Sequence, residues 1–484
     1  MNDSRRHFLQ HCSILAAATA LPQQTNAWIG QARLKRDRIT ITKIERFVIY
    51  LPYHDFHAKA LFRYHGPNIQ ARTIYKVSTD IGLVGWGESW GVSSLTREDR
   101  RRYIGTSPFD WLAARKNLPM NMAVYDLMGK FLEIPAWKLI GPQVRTRIPV
   151  AAWTVSQTPE AMQREVKHAA SLGYRWIKYH IDEIQNVLEQ TKAMEKVAPK
   201  GFRVHYDFNV NSTLSHVEPI IRELEKYPIV GRIEDPIRVS EVEGWRRLTE
   251  TCKSEILVHH GPAEFMNRGL CDGSMAGHAP IGNATRISAL ADSAESPFML
   301  QQCGGFINQA FLAHEASVFP QATLDHVNLA LHWNDHICER PMEVSDGKIN
   351  VPLGPGLGIE VVEEKVREIA QQPVPAYEPF LVRIMYRNGP TIVARHLPHL
   401  EGHTDDLRIM SRLLGDDIPG PEPGYNNQVR TEMWDDIDDP LFQKIWKQTE
   451  SQQYVVLCHE SRPGRTSSII YNDNFEFFHI GYRI

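Results

Sequence analysis

Four polar residues follow short apolar runs of the sequence at nearly regular intervals. Lys178, Asp207, Glu234 and His260 are separated by 29, 27 and 26 positions. One strand and helix of a parallel α/β unit together have about this length. Side chains that end successive parallel strands meet at one edge of a sheet or barrel, so we expect these four to be neighbours. Two carboxylates placed there form an oxygen-rich site of the kind that a hard divalent cation such as Mg²⁺ prefers.

Two basic residues share one of these predicted strand ends. Lys178 and His180 are two positions apart, so they project from the same face of a strand. Histidine titrates near neutrality and is suited to be a general base, with Lys178 as its electrostatic partner. The alternative is structural: both residues only neutralise the carboxylates, and Asp207 and Glu234 form a buried ion pair with Lys178.

The elements that position these residues alternate between short apolar runs and amphipathic helical stretches from about residue 146 to 371. This alternation predicts an α/β fold with a parallel sheet. No Gly-rich phosphate loop follows the first strand, which disfavours a doubly wound nucleotide-binding sheet. We therefore predict a (β/α) barrel of the TIM type with its active site at the carboxyl ends of the strands.

Two further regions flank the predicted barrel. Residues 39–142 contain strand-like runs, a Gly-rich turn and then helical periodicity over 119–132, which predicts a small α+β domain. A Pro-Val-Pro segment at 373–375 predicts a linker. Residues 376–484 form a small C-terminal addition of unknown role.

The N-terminus carries an export pattern. Residues 4–9 (SRRHFL) resemble the twin-arginine motif, and a short apolar run over 14–21 and small-residue cleavage sites follow. The run is too short to cross a bilayer. We predict a signal peptide over residues 1–27 and a periplasmic or otherwise extracytoplasmic protein with no membrane span after its removal.

Composition excludes several classes of function. The chain has 54 basic and 57 acidic residues and no basic stripe with interleaved aromatics, so nucleic acid is not an expected partner. Its six cysteines show no CxxC spacing and no dense disulfide pattern. We interpret the cysteines as buried or incidental thiols.

Four groups of residues together resemble the enolase superfamily, in its mandelate racemase/muconate lactonizing enzyme-like branch, and the likeness spans about residues 40–368. They are 123–130 (AVYDLMGK) with 134–141 (IPAWKLIG), 173–180 (GYRWIKYH), 207–209 (DFN) with 234–236 (EDP), and 346–347 (DG) with 355–358 (PGLG). The resemblance implies a domain that caps the barrel mouth, a divalent metal bound by Asp207 and Glu234, with Mg²⁺ expected, and a homo-oligomer. It also implies that a base removes the proton α to a substrate carboxylate, through an enediolate that the metal stabilises.

The sequence departs from the family pattern in the later barrel strands. The family usually presents Gly-Glu at the fifth strand as the third metal ligand, but this chain has His259-His260. By spacing, His260 or His259 falls at the barrel mouth and could be the third ligand, and Glu264 is a further candidate. A histidine ligand such as His260 would favour Mn²⁺ or another transition metal. At the sixth and seventh strands, Gly277-His278 and Leu300-Gln301-Gln302 stand where racemase-like members carry an Asp and a His. The opposing acid/base dyad is thus expected to be absent.

We assign substrate binding to Arg63 of the cap and to Asn209, His278 and Gln302 of the barrel. The predicted function is a metal-dependent lyase that dehydrates a sugar acid or similar hydroxy acid. Two alternatives stay open: an isomerase or epimerase of the same superfamily, and a non-catalytic barrel that binds a carboxylate ligand or serves as a scaffold.

Overall fold

The computed structural model describes residues 39–65, 70–375, 378–387, 389–395, 422–424, 429–451, 454–459 and 469–470. The predicted signal peptide over 1–27 lies outside these residues. Within the described ranges, no helix has both the length and the apolar character needed to span a membrane.

The N-terminal region is a three-stranded antiparallel sheet with helices packed on it. Its strands are β1 (Ile41–Tyr50), β2 (Ala71–Thr79) and β3 (Val84–Trp90), in the order β1-β2-β3. Its helices are α1 (Asp55–His65), α2 (Arg97–Tyr103), α3 (Leu118–Leu132) and α4 (Trp137–Ile140). A Cβ at Gly87 would lie 1.9 Å from the Pro119 carbonyl oxygen, so glycine lets β3 and α3 pack in direct contact.

The central region is a closed barrel of eight parallel strands, as the sequence predicted. The strands are β4 (Arg147–Val155), β5 (Trp176–His180), β6 (Arg203–Asp207), β7 (Val230–Glu234), β8 (Glu255–Val258), β9 (Gly273–Gly277), β10 (Phe298–Gln301) and β11 (His326–Val327). Pairing of β11 with β4 closes the barrel, and β12 (Lys348–Asn350) adds to β4 in the antiparallel direction. The architecture is therefore an α/β TIM-type barrel with a separate N-terminal antiparallel sheet.

Helices surround the barrel and join it to the N-terminal region. They are α5 (Pro159–Ser171), α6 (Val187–Glu195), α7 (Leu214–Leu224), α8 (Val242–Thr251), α9 (Glu264–Asn267), α10 (Ile281–Ser293), α11 (Phe306–Val318) and α12 (Glu363–Ile369). Glu88 of β3 accepts hydrogen bonds from Gly305 N at 2.7 Å and Asn308 N at 3.2 Å, at the start of α11. Glu88 also forms a buried ion pair with Arg72 at 2.7 Å. This ion pair therefore connects the N-terminal sheet to the start of a barrel helix.

The C-terminal region is a five-stranded antiparallel sheet with one helix. Its strands are β13 (Leu381–Tyr386), β14 (Thr391–Arg395), β15 (Val429–Trp434), β16 (Tyr454–His459) and β17 (Ile469–Ile470), and α13 (Pro440–Gln448) packs on them. Trp434, Phe442 and Ile445 belong to a separate apolar cluster there. The three sheets fall within the predicted ranges 39–142, 146–371 and 376–484, whose exact boundaries stay predictions.

Residues 422–424 of the C-terminal region lie against two loops at the carboxyl end of the barrel. Glu422 Oε1 accepts a hydrogen bond from Thr213 N at 2.7 Å, at the start of α7. Gly424 N donates to Asp182 O at 2.8 Å, and Val187 N donates to Gly424 O at 2.9 Å. These loops follow β5 and β6, the strands that carry Lys178 and Asp207.

Candidate active site

The ends of three neighbouring strands bring three of the predicted residues together. Lys178 Nζ of β5 lies 3.0 Å from Asp207 Oδ2 of β6 and 2.8 Å from Glu234 Oε2 of β7. It also donates to Gln301 Oε1 of β10 at 2.6 Å. All four residues are buried. This network contains the ion pair that the sequence left open as an alternative to a metal site.

The charges in this network shift each other's proton affinity. Burial lowers the pKa of Lys178, but Asp207 and Glu234 outweigh it and raise that pKa above its ordinary value. Burial works to raise the pKa of Glu234, but Lys178, His205 and His259 hold it well below its ordinary range. Lys178 is thus a fixed cation here, which suits an electrostatic role better than that of a neutral base.

His180 occupies the solvent-facing edge of the same cluster. The strand register aligns His180 with Asp207 and Asp207 with Glu234. His180 Nε2 lies 3.2 Å from Asp207 Oδ2, and its side chain is 12% exposed. Its ring packs edge-on against Trp153 at 5.0 Å and lies 6.2 Å from Tyr64 of α1. His180 therefore lies between the carboxylates and the helix α1 of the N-terminal region. From this position its ring could contact a molecule bound at the barrel mouth.

Three buried carboxylates form the group best suited to a cation. One oxygen of each of Asp207, Glu234 and Asp235 lies within 4.8 Å of the others, and oxygen ligands of this kind suit Mg²⁺. The predicted ligand His260 is not in this group but belongs, with Asp235 and His259, to a second group that could hold a cation. Its Nδ1 lies 2.5 Å from Asp235 Oδ2, its side chain is 49% exposed, and the hydrogen bond to Asp235 raises its pKa. His259 faces the site instead, with Nδ1 at 3.3 Å from Glu234 Oε1.

Strained backbone accumulates at this end of the barrel. Asn209 and Val210 after β6, Asp235 after β7 and His278 after β9 have φ of +56°, +54°, +48° and +47°. Such values are uncommon for residues with a side chain, and β-branched Val210 is a clear outlier. Strain of this kind is retained where surrounding structure enforces it, and it concentrates at functional sites.

Comparisons with known proteins support the fold of the barrel. The family model for the enolase C-terminal domain-like fold matches residues 161–365, which is most of the barrel. Residues 161–365 of this chain therefore belong to the enolase C-terminal domain-like family.

The sequence relatives have low identity to this chain, but the similarity covers nearly the whole length of each relative. The D-galactonate dehydratase of Xanthomonas euvesicatoria pv. vesicatoria (strain 85-10) is 23% identical over 348 residues, which cover 62% of this chain and 91% of that relative. The D-galactonate dehydratase of Variovorax paradoxus (strain S110) is 24% identical over 366 residues, covering 64% and 94%.

Solved structures of the superfamily share the fold at low identity. An isomerase from Streptomyces coelicolor A3(2) matches with a TM-score of 0.55 and 22% identity, covering 69% of this chain and 97% of that chain. The 3,6-anhydro-D-galactonate cycloisomerase from Zobellia galactanivorans matches with a TM-score of 0.56 and 19% identity, covering 68% and 99%.

Two residues that the sequence assigns to substrate binding form hydrogen bonds with other residues of the chain. Asn209 N donates to Asp207 Oδ1 at 2.8 Å and its Nδ2 donates to Asp207 O at 3.2 Å, so Asn209 orients the carboxylate. Gln302 is fully buried, and its Nε2 donates to Glu315 Oε2 of α11 at 2.8 Å. Its neighbour Gln301 is the residue that contacts Lys178. Gln301 faces the ion-pair network, and the assignment of Gln302 to substrate binding stays a prediction.

The other two assigned residues lie on opposite sides of the mouth. Arg63 of α1 forms an ion pair with Asp435 of the C-terminal region, so its charge is already matched. His278 follows β9, stacks on Trp90 of β3 at 5.7 Å, and lies 3.6 Å from the sulfur of Cys303. The sequence interpretation missed Cys303 because its partner is 25 positions away and no motif joins them.

Proposed function

We propose that this chain is a metal-dependent dehydratase of a sugar acid or a similar hydroxy acid. The supporting observation is that His180, Asp207 and Glu234 occupy one register level at the barrel mouth, with the ammonium group of Lys178 in contact with both carboxylates. The names of the sequence relatives, which act on D-galactonate, favour a sugar acid. The reaction removes the proton α to the carboxylate and expels the β-hydroxyl group as water.

The charge of the site suits a divalent cation. Asp207, Glu234 and Asp235 carry three formal negative charges and Lys178 one positive charge, which leaves −3 + 1 = −2. These three carboxylates would hold the ion, with Mg²⁺ expected because every donor is an oxygen. When bound, the cation supplies positive charge that stabilises the negative charge developing on the substrate carboxylate.

Residues of the chain supply the general base, a fixed positive charge and the covering of the site. His180 takes the α-proton, because it is the basic group at the exposed edge of the cluster. Lys178 supplies a fixed positive charge beneath the reacting carboxylate. Trp153 and Tyr64 cover the His180 ring on the barrel and cap sides and limit access of water to it.

An isomerase of the same superfamily is the second candidate. His278 follows β9, the sixth strand of eight, and so stands across the barrel from β5, the second strand. A group there could return a proton to the opposite face of the substrate carbon. Isomerisation exchanges the α-proton with solvent without releasing water. A measurement of α-proton exchange together with the dehydrated product therefore distinguishes the two reactions.

The test begins with metal content and a screen of sugar acids. Purified protein is analysed for bound metal and then incubated with Mg²⁺ and a panel of aldonic and aldaric acids that includes D-galactonate, and 2-keto-3-deoxy products are measured. Wild type is expected to bind metal and release water from at least one acid. Asp207→Ala with Glu234→Ala is expected to lose both, and Asp292→Ala, which removes an exposed carboxylate of α10, should lose neither. A wild type without metal or turnover would support the non-catalytic barrel.

A further inference from the structure

A thiol and an imidazole form a pair at the ends of β9 and β10. Cys303 Sγ lies 3.6 Å from His278 Nε2, and Cys303 N lies 3.5 Å from His278 Nδ1. Both residues are partly exposed, whereas Gln302 and Gly304 on either side of Cys303 are buried. The pair is therefore open to a molecule in the barrel mouth. The general base and metal site proposed above do not use it.

The two contacts fix the hydrogen of the imidazole. The backbone N–H of Cys303 can only donate, so His278 Nδ1 is the acceptor in that contact. In a neutral imidazole the other nitrogen then carries the hydrogen, and Nε2 donates to the sulfur of Cys303. The hydrogen of the thiol is consequently free to point into the mouth. The Nε2–H donor would also stabilise a thiolate formed at Cys303.

Several features hold this pair in place. His278 keeps a left-handed backbone with φ of +47°, and its N donates to Gln301 O at 2.8 Å. Trp90 of the N-terminal sheet stacks on the imidazole with an angle of 26° between the rings. The cap therefore contacts the pair directly, and a strained residue is maintained by packing from two regions of the chain.

The pair faces the ion-pair network across the barrel. β5, which carries Lys178 and His180, is the second of the eight strands, and β9 and β10 are the sixth and seventh. Gln301, two residues before Cys303, contacts Lys178 at 2.6 Å. The charge of Lys178 also acts to lower the pKa of both Cys303 and His278. The carboxyl end of β9, with His278, therefore lies across the barrel mouth from that of β5, and Cys303 follows the neighbouring strand β10.

We propose that Cys303, supported by His278, is the general acid that protonates the leaving hydroxyl group. This inference rests on the proposed dehydratase activity. His180 takes the α-proton, the electron pair of the broken C–H bond forms the new C=C bond, and the β C–O bond breaks. The departing oxygen takes the proton of Cys303 and leaves as water. The enol product becomes the keto acid, Cys303 takes a proton from solvent, and His180 releases one.

The local chemistry favours a proton donor over a nucleophile. Burial raises the pKa of Cys303 to about 12 and lowers the pKa of His278 to about 4. At neutral pH the pair is a thiol beside an uncharged imidazole, whereas a nucleophilic cysteine needs a thiolate. A thiol with this pKa is still a stronger acid than water, so it can protonate a leaving hydroxide.

The deciding experiment separates proton removal from water loss. Cys303→Ala is compared with wild type on the sugar acid that wild type turns over fastest, in D₂O with Mg²⁺. We expect α-proton exchange to continue while water release falls by about 10²- to 10⁴-fold, the usual contribution of a general acid. The 3-deoxy-3-fluoro analogue should restore elimination, because fluoride leaves without a proton. The control Cys252→Ala, at the end of α8 on the outside of the barrel, should match wild type.

A second measurement needs no substrate. Iodoacetamide alkylation of Cys303 is followed by mass spectrometry across pH in wild type and in His278→Phe, which keeps a ring against Trp90 but has no N–H donor. Loss of the Nε2–H donor should raise the thiol pKa and slow alkylation by about tenfold for each unit of the change. An unchanged profile, or full water release by Cys303→Ala, would refute the inference while leaving the dehydratase intact. If wild type neither exchanges nor eliminates, the dehydratase proposal and the role of Cys303 both fail.

Discussion

Replacement of Lys178 by methionine tests whether the mouth carries uncompensated negative charge. The substitution keeps the length of the side chain but removes its cation, so the formal charge of the cluster changes from −2 to −3. Lys178 is fully buried and contacts two buried carboxylates. Removing one partner from such a pair costs about 3–5 kcal/mol of unfolding free energy.

Mg²⁺ should return part of this stability, because a bound cation takes over the charge of the lost ammonium. At a concentration one hundred times its dissociation constant, a ligand of the folded state adds about 2.7 kcal/mol. The assay is urea unfolding of wild type and Lys178→Met in EDTA and in Mg²⁺.

The matched control is Lys226→Met, which breaks an exposed pair with Glu223 at 2.6 Å and should cost less than about 1 kcal/mol. If Lys178→Met costs no more than this control, and Mg²⁺ stabilises neither protein, the charge argument is wrong.

Three further predictions concern other parts of the chain. Burial raises the pKa of Glu315 to about 8, above its unfolded value, so its stabilising effect is lost as pH rises from about 4.5 through 8; Glu315→Gln should flatten this fall in urea unfolding. Arg63→Ala and Asp435→Ala should change the Michaelis constant together, and the double variant should resemble either one; additive effects would contradict a shared contact. Changing Arg5 and Arg6 to lysine should retain the protein in the cytoplasm on cell fractionation.

The sequence predicted the barrel because the strand period is long-range and regular. Lys178, Asp207 and Glu234 were placed together by one rule, that strand ends converge. β8 ends at Val258, and the adjacent residues His259 and His260 face different partners, Glu234 and Asp235. The identity of the third metal ligand therefore stays a prediction.

Side-chain alternation separates Gln301 from Gln302 at the end of β10. Successive residues of a strand point to opposite faces, so a shift of one position exchanges the inner residue for the outer one. Gln301 therefore contacts Lys178 inside the barrel, whereas Gln302 contacts Glu315 of the surrounding helix.

Contacts between distant residues leave no local signal in a single sequence. Arg63 and Asp435 are 372 positions apart, and neither residue belongs to a motif. A charged residue in the cap was expected to meet substrate because its true partner could not be identified from spacing.

The contact of Glu422 with Thr213 can form only late in synthesis of the chain. Thr213 is 209 positions ahead of its partner, so at synthesis rates of about 5–20 residues per second the ribosome adds Glu422 about 10–40 s later. The barrel strands are all synthesised before Glu422, and the loops after β5 and β6 lack these contacts during that interval. A nascent chain should therefore be more open to proteases at these two loops than the finished protein.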